Sequence, residues 1–212
     1  MPNFDWEYTL NSRGFRLIAG IDEVGRGPLA GPVAAGAVIL KPPEGHVSPW
    51  LEKIDDSKKL TPSTREQAAI EIEKHCLSIG IGLASPKEID SLGISEATKL
   101  AMIRAIKELN VQPQYLLIDY VKLFDARIPF TSLTKGDTIS YSIAAASIVA
   151  KVARDKLMTA ANEIHPGYDF NKNKGYGTKA HINSIKLLGP SSFHRRSFAP
   201  AKFYQGNSQS LS

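Results

Sequence analysis

The sequence predicts an α/β chain, a mixed five-stranded sheet with helices on its faces. Two apolar Val/Ile/Leu/Ala-rich runs at residues 16–24 and 32–40, followed by a third at 77–84, give an antiparallel meander. Two short runs at 115–119 and 128–133 alternate with helical stretches, the pattern of strands joined through crossovers. An alanine-rich segment at 140–164 is small enough in side chain to lie close on such a sheet.

The first two runs are separated by a Gly-Pro turn and read as neighbouring strands. Residues 42–49 form a Pro/Gly loop, after which Asp55 to Leu60 lead to a helix start. Thr61 can cap that helix with Pro62 at its first position, and Ser63 with Glu66 offers an alternative capping box; the helix runs to about His75. Ile79, Ile81 and Leu83 alternate with small residues in the third strand. Ser95 is an N-cap for a second helix carrying Leu100, Ile103, Ile106 and Leu109 at helical spacing and ending near Asn110 and Pro113. The strand at 115–119 ends in Asp119, and the strand at 128–133 precedes Lys135-Gly136-Asp137. The long helix at 140–164 carries Ala144, Ala145, Ala146, Ala150 and Ala153, and a final helix at 178–188 stops at Gly189. No linker divides the chain. One domain is expected over residues 1–204, with a basic helical segment at about 170–204 and a polar, disordered tail at 205–212.

The 212 residues, 42% hydrophobic, suffice for a real core. Residues 1–11 contain Asp5 and Glu7 and do not resemble a secretory signal. The longest uncharged apolar stretch, 28–40, falls short of the roughly 20 residues needed to cross a bilayer, so no membrane role is expected. Cys76 is the only cysteine, which excludes an intrachain disulfide and fits a reducing cytoplasm. Nothing demands more than a monomer. The net charge of +5 is one-sided: residues 170–212 hold no acid and seven bases, Lys172, Lys174, Lys179, Lys186, Arg195, Arg196 and Lys202. Tyr176, Phe193, Phe198, Phe203 and Tyr204 are interleaved with them. Such a segment suits a polyanion, although a solvated basic helix would have the same composition.

Residues 20–33 are the most informative. Asp22 and Glu23 end an apolar strand, and Gly25-Arg26-Gly27 follows at once. Carboxylates at a strand end can hold a hard cation such as Mg²⁺ or Mn²⁺, and flanking glycines admit a ligand close to the backbone. On its own, such a pair is more often only a solvated strand end. The glycine spacing matches neither the dinucleotide fingerprint nor a P-loop. Ligands of α/β sheets gather at the carboxyl ends of parallel strands, a condition Asp22, Glu23 and Asp119 meet and Asp137, beside another strand end, could share. Four carboxylates suit two cations about 3.5–4 Å apart acting on a phosphodiester. An acid at the apolar strand end of Asp119 has no evident structural purpose, whereas Asp137 alone could be a helix cap. Asp155 lies too far along the long helix to join them and is expected to pair with Lys151. His46, His75, His165, His181 and His194 have no ligand spacing and read as surface or core.

Taken together, the chain resembles the bacterial ribonuclease HII family. The resemblance rests on residues 20–33, Asp56-Ser57-Lys58-Lys59-Leu60, Ile118-Asp119, Lys135-Gly136-Asp137, the run 143–155, Lys174-Gly175-Tyr176-Gly177-Thr178 and His194-Arg195-Arg196-Ser197-Phe198-Ala199-Pro200, in family order from about residue 17 to 202. It implies the ribonuclease H-like fold and metal-dependent hydrolysis of RNA in RNA/DNA hybrids and at single ribonucleotides in duplex DNA, leaving 3′-hydroxyl and 5′-phosphate ends. It also implies that Asp22, Glu23, Asp119 and Asp137 are catalytic carboxylates holding Mg²⁺ or Mn²⁺. Gly25, Arg26 and Gly27 are then the loop that senses the ribose 2′-hydroxyl, Tyr176 packs on the adjacent sugar, and Lys58 and the C-terminal bases contact phosphate. One departure is Tyr120, directly after Asp119, where a glycine is frequent in the family.

Overall fold

A computed structural model describes residues 1–43, 45, 48–54, 60–121 and 127–200; Lys58 and the tail expected at 205–212 lie outside the described residues. Five strands, β1 (Ile18–Val24), β2 (Val33–Ile39), β3 (Ser78–Ala84), β4 (Tyr115–Asp119) and β5 (Phe130–Leu133), form one sheet in the order β3-β2-β1-β4-β5. β1 pairs antiparallel with β2 and β2 with β3, while β1–β4 and β4–β5 are parallel. The helices are α1 (Asp5–Ser12), α2 (Pro62–His75), α3 (Pro86–Leu92), α4 (Ile94–Lys107), α5 (Tyr141–Ile164), α6 (Phe170–Asn173) and α7 (Lys179–Leu188).

The expected elements form, with Thr61 the cap expected for α2 and with Ser140 and Thr178, the expected first residues of two further helices, also serving as caps. Thr61, Ser140 and Thr178 each accept a backbone N–H from the first turn of α2, α5 and α7. At α4 the helix begins one residue before Ser95, because Gly93 serves two helices: its N–H closes α3 on Ile89 and its carbonyl accepts from Ala97. Helices α1 and α3 were not anticipated. Lys151 and Asp155 pair as expected, at 2.8 Å.

Strand alternation sorts the core into two layers. Ala19, Ile21, Ala35, Ala37, Leu116 and Ile118 face Ala97, Ala101, Met102 and Ala105 of α4. On the other face, Val38 meets Ala145, Ala146 and Ile148 of α5, and Ile18 and Leu117 meet Ile143. Helix α5 lies against bare backbone there: a Cβ on Gly20 would stand 2.0 Å from the Ser142 carbonyl carbon, and one on Gly36 would stand 2.3 Å from the Ala146 carbonyl oxygen. Gly36 is the register partner of Asp22, so this approach brings α5 directly over the carboxyl end of β1. From α1, the buried Glu7 accepts from the Ser140 hydroxyl at 2.7 Å and the Ser142 N–H at 3.2 Å, fastening the start of α5. Among the described residues no helix is long and apolar enough to cross a membrane.

Candidate metal and nucleic-acid site

The parallel register Ile21↔Ile118 makes Asp22 and Asp119 the next positions of adjacent strands. Both side chains alternate onto the α5 face, about 4.8 Å apart at the backbone. Asp22 is buried, with its Oδ1 accepting the Glu23 N–H at 2.7 Å and with Ser147 of α5 donating to it. Burial, then the neighbouring Glu23 and Asp119 charges, hold its pKa well above the usual carboxylate range. Glu23 is raised as well, chiefly by burial and further by Asp119, against the opposing charge of Arg26. Arg26 Nη1 lies 3.3 Å from Glu23 Oε1, whereas Glu23 Oε2 is buried and has no hydrogen-bond partner among the described residues.

Asp119 does have a structural task, contrary to the sequence reading: its Oδ1 accepts the Gly136 N–H at 2.7 Å, tying β4 to the turn after β5. That turn presents the buried Asp137, which is not the cap of α5, since Ser140 fills that position. The turn therefore brings Asp137 to the carboxyl ends of the strands through the Gly136–Asp119 bond. Among the described residues, no three His, Cys, Asp or Glu side chains already close on a single point as a ligand group. The donors fit a hard cation nonetheless: all are carboxylates, two repel each other in a buried setting, and one buried oxygen is unpaired. Tyr120 keeps the turn after Asp119 by adopting the left-handed conformation at φ +55°, the region a glycine there would favour.

The loop after Glu23 is held by two arginines that are fully buried. Arg195 donates to the carbonyls of Gly25, Arg26 and Gly31, and Arg154 to those of Ala30, Pro32 and Lys174. Gly25 has φ +88°, and a Cβ on it would strike the Arg154 side chain. In a trans peptide the carbonyl and the following N–H point opposite ways, so the N–H groups of Arg26 and Gly27 are directed away from Arg195. Open space surrounds Gly27. Burial and the Arg154 charge depress Arg195 to about 9, and burial lowers Arg154. Tyr176, exposed, stands at the same loop: Leu29 donates to the Gly175 carbonyl at 2.8 Å, and Lys151 Nζ lies 5.9 Å from the Tyr176 ring centre.

The basic segment is thus divided. Arg195 is a structural clamp rather than a surface contact, and Lys174 donates to Thr159 and the Asn171 carbonyl. Lys172, Lys179, Lys186 and Arg196 are exposed. Sequence reasoning gave no role to Ser147 or Arg154. Their seven-residue spacing, which places both on one stripe of α5, was the available signal. A groove of about 750 Å³ along the outer strand β3, lined by Ala69, Ile70, Leu77 and Ile79, includes none of the predicted site residues.

A five-stranded sheet in this order, with carboxylates at the ends of its central parallel pair, is a ribonuclease H-like fold. The ribonuclease H2 from Pyrococcus horikoshii superposes with a TM-score of 0.72, at 24% identity over 89% of this chain and 96% of that one. The family model for ribonuclease HII matches residues 19–201. A ribonuclease HII of Dehalococcoides mccartyi is 48% identical over 201 residues, 95% of this chain and 94% of that protein. One of Bacillus anthracis is 51% identical over 197 residues, 93% of this chain and 74% of that protein. The chain belongs to the ribonuclease HII family, whose members are metal-dependent hydrolases of RNA in RNA/DNA hybrids.

Proposed function

We propose that this enzyme, beyond cutting hybrids, incises on the 5′ side of single ribonucleotides embedded in duplex DNA, leaving 3′-hydroxyl and 5′-phosphate ends. The observation that carries the reading is the placement of Asp22, Glu23 and Asp119 at the carboxyl ends of neighbouring strands, beside a glycine loop whose Gly25 and Arg26 carbonyls are turned inward onto Arg195. The N–H groups of Arg26 and Gly27 then face outward to a 2′-hydroxyl, the group that distinguishes RNA from DNA.

Asp22, Glu23, Asp119 and Asp137 would hold two divalent cations, Mg²⁺ or Mn²⁺, with the unpaired Glu23 Oε2 supplying a donor. When bound, such ions supply an activated water and countercharge for the leaving oxygen. Ser147 and the Glu23 N–H orient the Asp22 carboxylate, and Gly136 orients that of Asp119. The Arg154–Arg195 clamp fixes the loop so that a ribose is read without reorganisation. Tyr176 packs on the neighbouring sugar. Lys58, Lys172, Lys179, Lys186 and Arg196 contact phosphate. The lone Cys76 suits action in a reducing cytoplasm, and the site as read needs no second copy of the chain.

The test is cleavage of an end-labelled DNA duplex carrying one ribonucleotide, with and without Mg²⁺ or Mn²⁺, beside an all-DNA duplex. One metal-dependent cut 5′ of the ribonucleotide is expected, with the control intact. Cutting of both duplexes would refute reading of the 2′-hydroxyl by the loop, and cutting of long hybrids alone would refute single-ribonucleotide incision.

A further inference from the structure

Two histidines outside the carboxylate cluster are fully enclosed and bonded to each other. His181 and His194 are 0% and 2% exposed, and their Nε2 atoms lie 3.0 Å apart. Their other nitrogens have partners that settle the protons. His181 Nδ1 is 2.8 Å from the Tyr176 carbonyl, which only accepts, so Nδ1 carries the hydrogen. In a neutral ring His181 Nε2 is then the acceptor, and His194 Nε2 must donate to it. His194 Nδ1 is left as an acceptor, and the Ser191 N–H meets it at 3.0 Å with the Ser191 hydroxyl at 2.9 Å. The result is one directional chain from Ser191 through His194 and His181 to Tyr176. A proton added to His181 would set two N–H groups head to head, and one added to His194 would face the Ser191 N–H.

Tyr168 and Phe170 pack against these rings, and Phe193 backs Phe170. Burial lowers both imidazoles, His194 to about 3 with help from His181 and His165. Both ends of this hydrogen-bonded chain border residues that bond the segment directly after the Gly25–Gly27 loop. Residues 193–195 pair with 29–31 through Gly31 N–H to Phe193 O and Arg195 N–H to Leu29 O, and Leu29 N–H bonds the carbonyl of Gly175, next to Tyr176.

We propose that the His194–His181 pair is a positioning device that fixes the Tyr176 carbonyl, and through it the Tyr176 ring, at a set place beside the Gly25–Gly27 loop. The functional half of this inference rests on the sugar-packing reading of Tyr176. Neither histidine touches substrate; each acts through Tyr176.

The full-length chain is labelled with ¹⁵N-histidine and its imidazole tautomers are read by long-range ¹H–¹⁵N correlation at pH 6.5. The expected result is His181 neutral with the proton on Nδ1, the minor form of free histidine, and His194 neutral with it on Nε2. A charged ring, or His181 protonated on Nε2, would overturn the relay itself. Kinetics on the single-ribonucleotide duplex then separate the two readings. Tyr176→Ala is expected to lower kcat/KM about tenfold or more, and no effect would refute the role of Tyr176 whatever the tautomers are. His181→Leu is expected to cost several-fold in the wild-type background and nothing further in the Tyr176→Ala background. An equal loss in both backgrounds would mean a merely structural histidine and overturn the proposal. His181→Asn, whose amide can donate to the Tyr176 carbonyl, is expected to restore most of the activity; no rescue in a folded variant would count against it.

Discussion

Asp22→Asn should make the metal-free protein more stable while removing its activity. At pH 7.5 Asp22 and Asp119 are neighbours at about the 4.8 Å interstrand spacing. Two like charges at about 5 Å and an effective dielectric near 20 repel by about 3 kcal/mol. Asparagine keeps an acceptor for the Glu23 N–H and Ser147 but forfeits the charge assistance of those bonds, about 1 kcal/mol. The net expectation is about 2 kcal/mol of added stability, or a Tm higher by about 4–8 °C for a chain of this size. The sign follows from the pKa: Asp22 is raised in the folded state, so its contribution favours folding below the unfolded carboxylate value, near 3.9, and is lost as pH rises through the folded value. The advantage of the variant should therefore vanish by about pH 3.5. Thermal and urea unfolding in EDTA across that range would measure it. A variant no more stable than wild type at pH 7.5, or an advantage unchanged in acid, would refute the picture of crowded, cation-seeking carboxylates.

Arg195→Lys keeps the charge but cannot span three carbonyls, and urea unfolding should register a loss of about 3–5 kcal/mol. Tyr120→Gly should leave stability unchanged or raise it by up to about 1 kcal/mol in thermal denaturation, because relief of the left-handed conformation exceeds or matches the entropy lost by glycine. Glu88 caps α3 through Ser85 and pairs with Arg104 at 2.7 Å; those bonds hold its pKa at about 2. It should contribute about 1 kcal/mol, allowing for solvent screening, that is present above the unfolded value near 4.3 and lost as pH falls toward 2, so Glu88→Ala should matter at pH 7 and not at pH 2. Metal affinity should rise with pH as Asp22 and Glu23 give up their protons, a trend titration calorimetry with Mn²⁺ would follow.

Most of this architecture was legible because it is written in local signals. Alternation marked β3, Thr61-Pro62 and Ser140 marked helix starts, and Asp22, Glu23 and Asp119 stood at apolar strand ends. What escaped was built from contacts distant in sequence. Helix α1 has no side-chain cap and owes its place to the buried Leu10 and to Glu7 on α5. Helix α3 is only seven residues long, although Ser85-Pro86 with Glu88 was a readable capping box. The misreading of Arg195 has the same origin: a basic residue among surface bases gives no hint that its partners are carbonyls some 164–170 positions earlier. His181 and His194, 13 residues apart, looked unrelated for the same reason.

The most direct test of the carboxylate cluster is Mn²⁺ binding by wild type and Asp22→Asn, with affinity for an RNA/DNA hybrid and turnover measured beside it. The expected result is Mn²⁺ binding and cleavage lost in the variant, with hybrid affinity in EDTA retained. A variant that binds Mn²⁺ as wild type does, or still cleaves, would contradict the assignment of metal and chemistry to the carboxyl ends of these strands.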